Sequence, residues 1–122
     1  MIRRGDDLII GDSIGFEYQV RDYITNELLD NMSSVSRVVF RLYPMQPSNN
    51  PSLVLDNALG HDISVTDAPN AKITAYLTKL QTATLKRGTY RHEATMYFTS
   101  GEEYTIADFR GDPFAIEVRN RI

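Results

Sequence analysis

The sequence contains no cysteine and no tryptophan among its 122 residues. Without cysteine there is no disulfide framework and no thiolate metal site, which fits a reducing compartment or an extracellular particle that needs no cross-links. No apolar run approaches the roughly 18 residues that a membrane span requires. The first residues lack the apolar segment of a secretory signal. We therefore expect neither disulfide stabilisation nor a membrane partner.

The sequence also lacks a basic excess. Thirteen Lys and Arg residues face 16 Asp and Glu residues, which gives a formal net charge of -3. Nucleic-acid-binding domains usually carry a basic patch, so we expect no nucleic-acid partner. Hydrophobic residues make up 42% and charged residues 24% of the chain, the balance of an ordinary folded globule. At this length we expect one domain that spans residues 1–122.

Motifs for catalysis are missing. The segment from Gly11 to Gly15 has a serine at its centre, but it leads into an alternating strand and not from a strand into a helix, as a nucleophile elbow would. No glycine-rich phosphate loop is present. The acidic pairs at 6–7 and 102–103 are expected to be solvated charges. We therefore expect a protein that is not an enzyme.

The two histidines offer little for a metal or cofactor. His61 could join Asp56 and Asp62 around a metal ion, but that spacing matches no familiar site, and a solvated polar turn is the expected structure. His92 falls on the inward side of an alternating segment, where a hydrogen-bonded core residue is expected. We predict no metal site and no cofactor.

Residue types that favour β-strands dominate the sequence, and their order supports the same conclusion. Apolar residues alternate with other residues over 14–20, 37–42, 73–77 and 90–98, the period-2 pattern of half-buried strands. Shorter candidate strands and turn-forming clusters fill the intervals, including a hairpin at 100–102. This pattern predicts an all-β, antiparallel sandwich of about 7–9 strands.

One segment departs from the strand pattern. Thr78 and Gln81 have the spacing of a capping box, and Gly88 could close a helix in left-handed geometry. We predict one short helix near residues 79–87, with Leu80 and Leu85 holding it to the edge of the sandwich. A second irregular stretch, 43–52, holds three of the five prolines and is predicted to be a surface loop.

The distribution of arginine and tyrosine suggests an interaction surface. Ten of the 13 basic residues are arginine, and the chain has seven tyrosines. Both residue types are enriched at protein interfaces. Two arginines would share the outer face of one strand and pair with acidic partners. The predicted contact residues are Tyr43, Met45, Tyr76, Tyr97, Arg37 and Arg41.

The order of these features resembles a known group. Its most specific part is Ile-Thr-x-x-Leu-Thr, followed by Leu-x-x-Gly-x-Tyr, within residues 73–90. The layout is similar to small immunoglobulin-like structural proteins of tailed bacteriophages and prophages, including the N-terminal domains of baseplate and receptor-binding-assembly proteins. The resemblance implies an immunoglobulin-like sandwich and implies no catalytic or binding residues.

From this resemblance we expect a non-enzymatic structural protein of the virion. It would be assembled in the host cytoplasm and would dock in the tail or baseplate through sheet-face and edge contacts. Its partners would be other virion proteins, and it would be present in multiple copies or as a homo-oligomer. A capsid-decorating or head-fibre protein is the first alternative. A carbohydrate-binding module is the second, although the absence of tryptophan removes the usual stacking platform for a sugar.

Overall fold

The structure, a computed structural model, describes residues 7–22, 24–44, 50–106 and 115–119. Within these residues the chain forms nine strands, one α-helix (α1, Lys79–Thr82) and two short 3-10 turns, Met32–Ser34 and Asn57–Leu59. The strands are β1 (Asp7–Ile9), β2 (Ile14–Gln19), β3 (Val35–Pro44), β4 (Leu53–Asp56), β5 (Ile63–Asp67), β6 (Lys72–Leu77), β7 (Gly88–Phe98), β8 (Glu103–Ile106) and β9 (Ala115–Arg119).

Two sheets make up the architecture. The larger sheet has the order β1-β9-β7-β3-β4, with β8 pairing a separate part of β7, and the smaller sheet has the order β2-β6-β5. β1 pairs with β9 in parallel, whereas the other strand pairs are antiparallel. This is the strand arrangement of an immunoglobulin-like sandwich, so the predicted all-β fold class is confirmed. No helix of the described residues is long and apolar enough to cross a membrane.

The core lies between the two sheets. Val38, Phe40 and Leu42 of β3 face inward, and the ring of Phe40 lies 5.1 Å from that of Phe16 on β2. The alternation predicted over 14–20, 37–42, 73–77 and 90–98 is confirmed, because the apolar set of each segment faces the core. The buried cluster includes Phe16, Tyr18, Val20, Phe40, Leu42, Leu55, Ile63, Ile73, Ala75, Leu77, Tyr90, Ala94, Met96 and Phe98.

The connection from β6 to β7 has a tyrosine corner. The Tyr90 hydroxyl donates a hydrogen bond to the backbone carbonyl of Lys86 at 2.7 Å. In immunoglobulin-like sandwiches such a tyrosine stands near the start of the sixth core strand and bonds to backbone a few residues upstream. The Leu-x-x-Gly-x-Tyr part of the sequence pattern is therefore this corner, with Leu85 buried beneath it.

The helix before this corner is shorter than predicted. The capping box between Thr78 and Gln81 is confirmed, but α1 ends at Thr82 and does not reach residue 87. Leu80 is 83% exposed, while Leu85 is 5% exposed, so the prediction that both leucines hold the helix to the sandwich was wrong. Five residues turn a helix by about 140° beyond a full turn, and both side chains could not face the core from one helix.

Gly88 belongs to the next strand, and Thr82 attaches the short helix to the rest of the sandwich. Gly88 begins β7 with φ 147°, so it opens a strand and does not close the helix. The buried Thr82 hydroxyl donates to the carbonyl of Asp12 at 2.8 Å and accepts from the backbone N–H of Gly11 at 3.1 Å. These bonds fix α1 against the β1–β2 turn.

The predicted turns are largely confirmed. The hairpin between β7 and β8 is present, with Gly101 at φ 93°. A turn also connects β5 to β6, and its left-handed residue is Ala71 (φ 53°). In the predicted loop 43–52, Tyr43 and Pro44 still belong to β3, and residues 45–49 lie outside the described residues.

Candidate functional site

The outer face of the larger sheet carries a continuous set of arginine and tyrosine side chains, which we call the Arg–Tyr face. β3 and β7 build it because their alternate residues point away from the core. Their antiparallel register places outer residues opposite one another: Arg37 with Tyr97, Arg41 with Glu93, and Tyr43 with Arg91. The Arg–Tyr face is defined by Arg37, Arg41, Tyr43, Asp56, Arg91, Glu93, Thr95 and Tyr97.

One end of the Arg–Tyr face is a bidentate ion pair. The Arg37 Nε donates to Oδ1 of Asp56 at 3.0 Å, and its Nη2 donates to Oδ2. The Arg37 guanidinium also lies over the Tyr97 ring, 5.1 Å from the ring centroid. Hydrogen bonding from Arg37 holds the pKa of Asp56 below its ordinary value. The carboxylate is buried, while 45% of the Arg37 side chain remains exposed.

The other end repeats the arginine-on-tyrosine contact. The Arg91 guanidinium lies 4.3 Å from the centroid of the Tyr43 ring, and the Tyr43 hydroxyl donates to Glu93 at 3.1 Å. Partial burial, with the Glu93 charge, raises the pKa of Tyr43. The tyrosine therefore remains a neutral hydrogen-bond donor around pH 7.

Arg41 joins the two ends. Its Nη1 donates to the Thr95 hydroxyl at 3.0 Å and lies 4.0 Å from Glu93. Each arginine of the Arg–Tyr face thus already contacts a ring, a hydroxyl or a carboxylate of this chain. Long side chains held in this way lose little further freedom on binding, so the surface is preorganised for contact with a partner.

Four of the six predicted contact residues come together on this face: Arg37, Arg41, Tyr43 and Tyr97. Tyr76, which is 43% exposed, lies on β6 in the smaller sheet, so it faces away from the other four. Met45 lies outside the described residues. The arginines were expected to pair with acidic partners, and the structure pairs Arg37 with Asp56 of the same chain.

Sequence reasoning missed Arg91, Glu93 and Asp56 as members of the face. The signal for the first two was present, since they stand at alternate positions opposite the predicted inward set of β7. Asp56 could not be found in this way, because its role depends on the register of β4 against β3, which pairs Val39 with Asp56.

The histidines have structural roles. His92 faces the core as predicted: its ring lies 5.2 Å from Phe16, and the Tyr18 hydroxyl bonds to its Nδ1. Burial lowers the pKa of His92 to about 4 and raises that of Tyr18 well above its ordinary value, so the bond joins a neutral phenol and a neutral imidazole.

His61 lies in the turn after β4 and accepts a hydrogen bond at Nδ1 from the backbone N–H of Asp56 at 2.9 Å. Its predicted location in a polar turn is confirmed. Within the part of the chain that the structure describes, no three His, Cys, Asp or Glu side chains are grouped so that they could hold a metal ion.

Comparison with protein-family models and with curated proteins gives no match. Among solved structures, the fold is similar to that of fibronectin(III)-like modules of Clostridium thermocellum CbhA, with a TM-score of 0.49 and 16% sequence identity. The match covers 97% of this chain and 43% of the matched chain, so this chain spans less than half the length of the matched chain. The immunoglobulin-like assignment above stands on the strand order and on the Tyr90 corner.

Proposed function

We propose that this protein is a non-enzymatic structural protein of a tailed-bacteriophage virion that docks in the tail or baseplate. The docking surface is the Arg–Tyr face of the larger sheet. The proposal is supported by the sequence resemblance described above and by the immunoglobulin-like fold. The observation that carries the docking surface is the pair of arginine-on-tyrosine contacts, Arg37 on Tyr97 and Arg91 on Tyr43.

These contacts suit a docking surface for a physical reason. Tyrosine and arginine dominate the energetics of protein interfaces, because a ring buries much area at a small entropy cost and a guanidinium donates several hydrogen bonds. Here both pairs stand on rigid central strands, and their rotamers are already fixed by contacts within the chain. Binding therefore requires little additional ordering.

A sheet edge offers a second contact mode. Among the described residues, β4 pairs with β3 on one side and has no strand on its other side. Val54 of β4 is 37% exposed, and an extended partner segment could extend the sheet at this edge. Face and edge contacts could therefore act together in one assembly.

The proposal is tested on phage particles purified from host cells that carry the gene. Mass spectrometry should find the wild-type chain in many copies per particle. A Tyr43→Ala/Tyr97→Ala variant, which should still show the circular dichroism of a folded β-protein, should be lost from the particles. Tyr76→Ala is the matched control, because it removes an exposed tyrosine from the opposite sheet and should be incorporated normally.

Two results would contradict the proposal in different ways. Absence of the wild-type chain from intact particles would reject the virion role. Normal incorporation of the Tyr43/Tyr97 variant would reject the Arg–Tyr face while leaving the virion role in place. Immunogold labelling then separates tail from head, and label on the capsid would favour the decoration alternative over the tail.

A further inference from the structure

Three turns meet at one end of the sandwich: those that connect β2 to β3, β5 to β6, and β7 to β8. The backbone N–H of Val20 donates to the carbonyl of Ala71 at 2.8 Å. The Tyr104 hydroxyl on β8 donates to the carbonyl of Arg21 at 3.2 Å. These bonds fix the three turns beside one another as a single surface.

This surface is acidic, and we call it the acidic end. In the described part of the chain its five carboxylates form no ion pair, and three of them are exposed. The nearby Arg21 guanidinium donates to the carbonyl of Asn26 and to the Gln19 side chain. The five carboxylates are Asp22, Glu27, Asp30, Asp67 and Glu102.

The opposite end is mainly basic, although the carboxylates of Asp12 and Asp62 also lie there, and we call it the basic end. β2 and β6 connect the two ends: their ladder pairs Gln19 with Lys72 beside the acidic end, and Ile14 with Leu77 at the other. There α1 packs on the β1–β2 turn. Three exposed cations lie at this end and form no ion pair within the described ranges: Lys79, Lys86 and Arg87.

Each end also has one fully exposed aliphatic side chain. Ile24 at the acidic end is 88% exposed and Leu80 at the basic end is 83% exposed, the two highest values among the large hydrophobic residues that are described. A single exposed apolar residue is ordinary. Leu80 follows Lys79 directly and Ile24 is three residues before Glu27, and an apolar residue with charged neighbours is the usual composition of a binding contact.

We infer that copies of this chain associate head to tail, with the acidic end of one copy on the basic end of the next. Each end supplies the counter-charges that the other lacks, and the two aliphatic side chains are buried at the contact. A head-to-tail contact is heterologous, so it extends into a row of copies. The partner at each end is a second copy, and both sheet faces stay free for the docking proposed above.

The test is sedimentation velocity of the purified full chain at increasing concentration. In about 20 mM salt, where charges act over roughly 20 Å, the sedimentation coefficient should rise with concentration. In about 500 mM salt, where screening is strong, the protein should sediment as a monomer at the same concentrations.

Charge reversal identifies the surfaces. Lys86→Glu/Arg87→Glu gives two acidic ends, and Glu27→Lys/Glu102→Lys makes the acidic end basic. Each variant alone should have a dissociation constant for self-association at least about tenfold higher than that of the wild type. An equimolar mixture should associate again, because each variant offers the end that the other lacks.

Two further variants complete the design. Ser64→Glu/Thr66→Glu adds negative charge to the outer face of the smaller sheet and should associate as the wild type does. Leu80→Ser should weaken association without changing the circular dichroism spectrum. The inference is overturned if the wild-type chain remains monomeric up to about 1 mM at low salt. At that concentration even a weak contact of about 4 kcal/mol would produce detectable association. Association that both reversal variants retain also overturns the inference.

Discussion

Lowering the pH from 7 to 5 should destabilise the fold through His92. Its imidazole is mostly buried between the sheets, 5.2 Å from the ring of Phe16 and 6.0 Å from that of Phe40. The Tyr18 hydroxyl and Nδ1 of His92 form a hydrogen bond. Burial lowers the pKa of His92 from 6.5 to about 4, so the folded state keeps the ring neutral over a range where an exposed ring is charged.

The sign and size of the effect follow from this difference. As the pH falls through 6.5, the unfolded chain binds a proton at His92 and the folded chain does not, so the free energy of unfolding decreases. The loss is complete below pH 4 and amounts to about 3 kcal/mol, of which about 2 kcal/mol has gone by pH 5. The carboxyls of Asp22 and Asp56 have lowered pKa values. The stabilisation of the folded state that these lowered pKa values provide is present above pH 3.8 and is lost only below it.

The assay is urea unfolding at pH 7 and at pH 5, followed by circular dichroism because the chain has no tryptophan. The wild type should lose about 2 kcal/mol between the two pH values. The His92→Gln variant has a side-chain oxygen that can accept from Tyr18 but no group that titrates. Its free energy of unfolding should therefore be nearly the same at pH 7 and pH 5. His61→Gln removes the other histidine and should retain the loss.

Two outcomes would refute this reasoning. A wild-type free energy of unfolding that is equal at both pH values would mean that His92 is not held neutral by burial. An equal loss in the wild type and in His92→Gln would assign the pH dependence to other groups.

Three further predictions concern the core and the β6–β7 connection, each checked by urea unfolding. Phe40→Ala should cost about 3–5 kcal/mol, because the ring is fully buried between the sheets; a cost under about 1 kcal/mol would contradict its place in the core. Tyr90→Phe should cost about 1 kcal/mol through loss of its bond to the Lys86 carbonyl, and an unchanged stability would mean that the corner bond contributes nothing. Leu80→Gln should leave the stability within about 0.5 kcal/mol, while Leu85→Ala should cost about 2–5 kcal/mol; equal costs would contradict their opposite exposure.

The fold class was predictable because the period-2 alternation is strong and local. Phe16, Phe40 and Met96 each stand in a run where every second side chain is apolar, and a strand with one buried face requires that spacing. The short helix was only half predictable. Its capping box is a local signal at Thr78, but its end depends on a buried contact that Thr82 makes with a turn 70 residues earlier in the sequence.

The Arg–Tyr face was predictable in part for the same reason. Arg37 and Arg41 lie four residues apart in one strand, and residues an even number of positions apart face the same side of a sheet. Alternation alone therefore places them on one face. Their partners were not predictable, since the pairing of Arg37 with Asp56 and of Tyr43 with Arg91 depends on strand register. Tyr76 has the same local pattern as Tyr97, and only the division of strands between two sheets separates them.

By itself, the sequence determined that the chain forms strands, which side chains of each strand face the core, and that cysteine and tryptophan have no part in the structure. Those properties depend on residues that are neighbours along the chain. Tertiary structure alone decided which strands pair, which charges are neutralised within the chain and which charges at the two ends form no ion pair among the described residues. Those properties depend on contacts between distant residues, and no local pattern contains them.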